Sequence, residues 1–199
     1  MSEIAASAIL RKLEIDHQIE ADTLMVGAHS RNLKYRHPLP TETKLSDAVL
    51  LHSAARKWGL HVNLTRTACF GEPPSELRSK FDAASSIQAG IIKLLSPGLK
   101  FSEILTFQKQ QYTAYGYPDE WKLHFQGGPL GYVIVDARRC ESDKVVTVNM
   151  PFEWFVTITG TKTAELPLLT DQGMIIPSLK SPWPLKSFPA EGGSLALPD

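Results

Sequence analysis

The stretch WKLHFQGGPLGY, Trp121–Tyr132, sets a histidine ahead of three glycines and a proline, among aromatic and aliphatic residues. A glycine-rich run that follows a histidine is a pattern active sites use. It raises two questions: which fold contains such a strand, and whether the groups for chemistry are still present. The stretch is the first of three strand-like runs, ahead of VVTVNM (145–150) and WFVTITGT (154–161). ELPLLTDQGMIIPS (165–178) then reads as a hairpin.

Two helices precede the stretch. In the first, Leu77, Phe81, Ala84, Ile87, Ile91 and Leu95 form an apolar stripe of helical period, Ser75 stands as the cap, and Pro97-Gly98 stops it. The second runs from about Phe101 to Tyr115 and ends on Gly116. Further upstream, residues 47–71 hold two apolar runs, Ala48–Ala55 and Leu60–Phe70, around a turn at Lys57–Gly59. ADTLMVGAHS (21–30) reads as a buried strand, and YRHPLPTETK (35–44) as a proline-bearing loop. Residues 2–16 form an amphipathic helix with Ile4, Ala8, Ile9 and Leu13 as its apolar side. Helix, strands, two long helices and more strands predict an α+β fold with a curved, mainly antiparallel sheet covered by helices. Residues 1–180 read as the domain. Residues 181–199, with Pro182, Pro184, Pro189, Pro198 and Gly192-Gly193, read as an extended, weakly ordered tail.

The chain has 199 residues, 43% of them hydrophobic, enough for one domain with a sizeable core. Basic and acidic residues number 21 each, which argues against nucleic-acid or anionic-membrane binding. Charges interrupt every apolar run before membrane-spanning length. The charged N-terminal helix is unlike a signal peptide, so the cytoplasm is the expected compartment. Cys69 and Cys140 make no disulfide framework and lack metal-ligand spacing, and read as buried thiols. No zincin helix, nucleophile elbow or phosphate loop occurs. His52 and His61 flank the predicted turn and are candidates to face each other. Arg66, inside an apolar strand, calls for a carboxylate or carbonyl partner.

His124 to Gly131 resembles the pattern His-x-x-Gly-His-Gly-aliphatic-Gly of the methionine aminopeptidase, prolidase (Xaa-Pro peptidase) and creatinase family, whose fold is called the pita bread. HPLPTETKL (37–45) is similar to that family's substrate-side histidine loop. HSAARKWGLHVNLTRT (52–67) resembles its Asp-x10-Asp-x-Thr-Arg hairpin, and GTKTAELPLLTDQG (160–173) its Gly-x-Arg-x-Glu-Asp strand and following turn. The resemblance covers residues 2–178. Active members hold two divalent metals on two aspartates, a histidine and two glutamates, and activate a bridging water.

Carried over one by one, the two aspartates fall on His52 and Asn63, the histidine on Gly128, and the last glutamate on Ala164. The remaining glutamate falls near Phe155, and a two-residue slip would put it on Glu153, on the same strand face. Such a set lacks the negative charge two metals need, so no metal centre and no cofactor is expected. Thr65, Arg66, Gly127, Gly131, Gly160 and Lys162 persist as fold-keeping residues. The resemblance also implies a truncated N-terminal side, with part of the helical cover missing, and so a homo-oligomer or a partner chain over it. The expected function is a non-catalytic scaffold that binds a peptide, small molecule or protein. The alternative is a metal-independent, creatinase-like hydrolase of a C–N bond, with His37 and His124 catalytic and Arg66 and Glu153 binding substrate. A third reading, a metallo-aminopeptidase with substituted ligands, would need His52, His61 and Glu153 on one metal.

Overall fold

The computed structural model describes residues 1–133 and 143–199. Helix α1 (Glu3–Asp16) starts on Ser2, whose hydroxyl accepts from the Ala5 N–H at 3.3 Å. Strand β1 (Glu20–Ala28), a short helix α2 (His29–Asn32), and strands β2 (Ala48–Lys57) and β3 (Leu60–Cys69) follow. The strands form an antiparallel sheet in the order β1-β2-β3. Trp58 and Gly59 both have positive φ between the paired Lys57 and Leu60. That is the backbone of a two-residue loop whose twist matches its strands, so the hairpin turns where the sequence places it.

Helices α3 (Ser75–Leu94) and α4 (Phe101–Ala114) come next. Ser75 is the first helical residue and Pro74 occupies the cap position, so Ser75 does not cap the helix as expected. The glycine stretch contributes only a three-residue strand, β4 (Gly127–Pro129). Strands β5 (Met150–Ile158), β6 (Thr161–Glu165), β7 (Leu168–Thr170) and β8 (Gly173–Ile175) complete the second sheet, with β4 and β6 on β5. Residues 145–149 are not a strand of their own. Val145 makes one bridge, to Lys100, and Val146 plugs the core beside α4.

The two sheets meet where β3 packs along β6. Ala84, Ile87 and Ile91 of α3 and Ile104 and Tyr112 of α4 bury Trp154, Val156 and Ile158 of β5. The α1 helix covers the same side, since Glu14 accepts from Ser53 of β2 at 2.5 Å. The opposite side, onto which His52, Asn63, Phe155 and Lys162 project, lines a cavity.

The structure overturns three further sequence expectations. First, the apolar side of α1 faces outward, with Ile4 44%, Ile9 52% and Leu13 50% exposed, while Glu3 and Glu14 are buried. Glu3 accepts from the Ala28 N–H at 2.7 Å, the Thr41 N–H at 2.9 Å and the Thr41 hydroxyl at 2.8 Å, and pairs with Arg31. These charge-assisted bonds offset its burial and outweigh apolar periodicity in orienting the helix. Second, residues 185–198 are not an extended tail. Strands β9 (Leu185–Ala190) and β10 (Gly193–Pro198) form a hairpin that buries Phe188 and Leu197 against Ala89 and Ile92 of α3. A two-stranded sheet leaves each strand an open edge, which tolerates its prolines. Third, Cys69 is exposed, while Cys140 lies outside the described residues.

Candidate functional site

A cavity of about 430 Å³ opens on the face of the sheet opposite the helices. Alternation along the strands selects its lining. From β1 comes Met25, from β2 His52 and Ala54, from β3 Asn63, from β5 Phe155 and from β6 Lys162. His37 and Leu39 reach it from the loop after α2, and His124 and Phe125 from the segment before β4.

The glycine strand sets the depth of the wall. Gly127 has φ +108° and pairs with Trp154; a Cβ there would strike the Glu153 carbonyl oxygen and the Trp154 Cα. Only glycine lets β4 lie so close to β5, which places His124 and Phe125 over Phe155. Their rings are 5.2 and 5.0 Å from the Phe155 ring, both edge-on. Behind β5, Gln108 of α4 ties the wall to the helices. It donates to Gln126 Oε1 at 2.7 Å and the Phe155 carbonyl at 3.1 Å, and accepts from Trp154 Nε1 at 2.8 Å.

His37 and His124 are brought together, with their Nε2 atoms 3.0 Å apart, so one ring donates and the other accepts. Burial, then the charges of Lys162 and Arg36, lower His37. Burial and Lys162 push His124 down to about 4. His52 Nδ1 meets the Thr65 hydroxyl at 2.9 Å across the hairpin, and burial holds this ring well below the usual histidine range. The three rings are neutral at pH 7.

Glu153 is fully buried next to Asn63 and accepts from its Nδ2. Its Oε1 and the Asn63 Oδ1 are buried without a partner among the described residues. Burial raises the carboxyl well above its usual range, against the pull of Lys162. A proton on that carboxyl turns one of two facing acceptors into a donor, which suits an acid–amide pair better than an ionised acid. Lys162 is 3% exposed, lies 4.2 Å from the Phe155 ring centroid, and is lowered by burial to about 8. The sequence shows it only as a remnant of a motif. Its true signal is parity: in the TKTAE strand it shares a face with Ala164, so it projects into the space a shortened side chain vacates.

Two expectations are not met here. Arg66 does not line the cavity; it pairs with Glu165 at 2.5 Å and donates to the Thr65 carbonyl at 2.7 Å. Ser178 also donates to Glu165 at 2.5 Å, so this is a structural ion pair between β3 and β6. His61 does not face His52; its Nδ1 lies 2.9 Å from Asp22 Oδ2.

Residues 1–158 match metallopeptidase family M24. The chain belongs to this family. No curated protein matches the sequence. Among solved structures, the Xaa-Pro dipeptidase of Bacillus anthracis has TM-score 0.74 at 22% identity, over 96% of this chain and 55% of its own. The prolidase of Pyrococcus furiosus has TM-score 0.74 at 19% identity, over 88% of this chain and 55% of its own. The N-terminal domain of the FACT complex subunit SPT16 from chickpea, Cicer arietinum, has TM-score 0.69 at 11% identity, over 88% and 49%. The fold is the pita bread of this family, and the chain spans about half the length of these proteins.

The cavity occupies the place where the resemblance puts two metals, and its donors do not fit them. The resemblance puts His52, Asn63, Gly128 and Ala164 at four ligand positions and the fifth near Phe155. Among the described residues, no three His, Cys, Asp or Glu side chains cluster closely enough to hold a metal. Glu153, buried next to Asn63, is engaged by it, and the Lys162 amine lines the cavity. A site for two divalent cations needs several oxygen anions, not an amine and an amide.

Proposed function

We propose that this chain is a non-catalytic member of its family, a pseudoenzyme whose former metal cleft binds a peptide or small molecule. The observation that carries this reading is the donor set: His52, Asn63, Gly128 and Ala164 stand where the resemblance puts metal ligands, and none of them brings the negative charge that two divalent cations require. Elemental analysis of protein purified without added metal, followed by titration with manganese, cobalt and zinc, tests it. No stoichiometric binding is expected. Two tightly bound equivalents, or hydrolysis of Xaa-Pro dipeptides that depends on added metal, would overturn it.

One observation favours a second reading, a metal-independent hydrolase of a C–N bond. His37 and His124 share a hydrogen bond at the cavity wall, where a neutral imidazole serves as base and its partner steadies the proton. Turnover of small amides that His37→Ala abolishes would select it. The exposed Ile4, Ile9 and Leu13 of α1 support docking of a second copy or a partner chain on that helix, which light scattering on the purified chain examines. No helix among the described residues is long and apolar enough to cross a membrane. The cytoplasm remains our proposed compartment, and the unpaired Cys69 suits its reducing conditions.

A further inference from the structure

Lys162 has no hydrogen bond and no ion pair among the described residues, although it is almost fully buried. Its amine meets the face of Phe155 and lines the cavity. Glu153, fully buried next to Asn63, accepts from it at Oε2 and forms no ion pair with the amine. A buried cation without a counter-ion is costly, and a partner that enters through the cavity mouth relieves that cost.

The rest of the lining says what else that partner carries. Met25, Leu39, Ala54, Phe125 and Phe155 supply apolar and aromatic walls, and among the described residues no other permanent charge lines the space. His124 donates at Nδ1 to the Phe125 carbonyl and so accepts at Nε2 from His37, which leaves His37 Nδ1 as an acceptor on the cavity wall. The volume, about 430 Å³, is that of a small-molecule site rather than a peptide groove.

We infer that the cavity takes a small monocarboxylate with an aromatic or aliphatic body, the carboxylate on Lys162 Nζ and the body against Phe125 and Phe155. The inference rests on the non-catalytic binding reading and names its ligand class. The charge-assisted bond to the ammonium selects the acid over neutral isosteres, and the aromatic wall selects against fully polar anions.

The test is calorimetric titration of the intact chain with 3-phenylpropionate, its amide and 2-phenylethylamine. The acid is expected to bind at least about tenfold more tightly than the amide, as a charge-assisted bond in place of a neutral one implies. Lys162→Met removes that preference and Lys162→Arg keeps it, with thermal melts confirming that both variants fold. Equal binding of acid and amide, or a preference that survives Lys162→Met, overturns the carboxylate assignment and leaves the binding reading standing. Preference for the amine overturns it too and makes an ionised Glu153 the counter-group. Absence of binding by all three overturns it. The binding reading falls separately, on metal uptake or metal-dependent hydrolysis.

Discussion

Replacing Lys162 by methionine should stabilise the protein. The amine falls from 10.5 to about 8 on folding, because burial disfavours its charged form. At about 1.36 kcal/mol per pKa unit, the ionised amine costs the folded state about 3 kcal/mol at neutral pH. Methionine fills nearly the same space without charge. It forfeits the contact of the ammonium with the Phe155 ring, about 1 kcal/mol, so the net gain is about 2 kcal/mol. The pH dependence carries a sharper signature. The unfolded chain holds the proton up to 10.5, whereas the folded chain releases it near 8. Between those values the unfolded state binds more protons, so wild-type stability rises with pH. Lys162→Met lacks this rise, and the difference between the two proteins should close by about 3 kcal/mol from pH 8 to 10.5. Urea unfolding followed by tryptophan fluorescence at pH 7, 8, 9 and 10 measures both quantities, with the buried Trp154 as a reporter. A variant less stable than wild type at pH 7, or parallel pH profiles, would refute the account of Lys162 as a buried cation without a counter-ion.

Gly127→Ala should cost about 3 kcal/mol in the same assay, the sum of backbone strain at φ +108° and a clash with atoms of β5 that cannot swing aside; a loss under about 1 kcal/mol would show that β4 does not need its close approach. Arg66→Met should cost about 3–5 kcal/mol, because it strands the buried Glu165, whereas Arg66→Met with Glu165→Leu should recover most of the loss. A double variant no more stable than the single one would restore Arg66 to a role beyond that ion pair.

The parts of the fold that were legible in the sequence are those with local causes. The α3 stripe and the β2–β3 hairpin follow from periodicity and turn residues, and the structure keeps both within a few residues. The helix α1 was legible as a helix but not in its orientation. Its outward isoleucines and buried Glu3 reflect bonds to Ala28 and Thr41, which sequence distance hides. The β9–β10 hairpin was hidden by its prolines and glycines, because only α3 provides the surface that buries Phe188 and Leu197. In the site, His37 and His124 were legible as candidates, since motif order brings their loops to one cleft. Arg66 was legible as needing a partner, but the choice of Glu165 belongs to the packing of β3 on β6.

By itself, the sequence determined the family, the α+β architecture and the replacement of the carboxylates at the metal positions, because motif spacing and residue identity are properties of the chain. Only the tertiary structure decided how the remaining polar groups of the cleft meet. Lys162, Asn63 and Glu153 come from three strands, and only their meeting on one sheet face makes a buried amine beside an engaged carboxyl. Whether such a residue is a solvated charge or an uncompensated one depends on burial and neighbours, which exist only once the strands have paired.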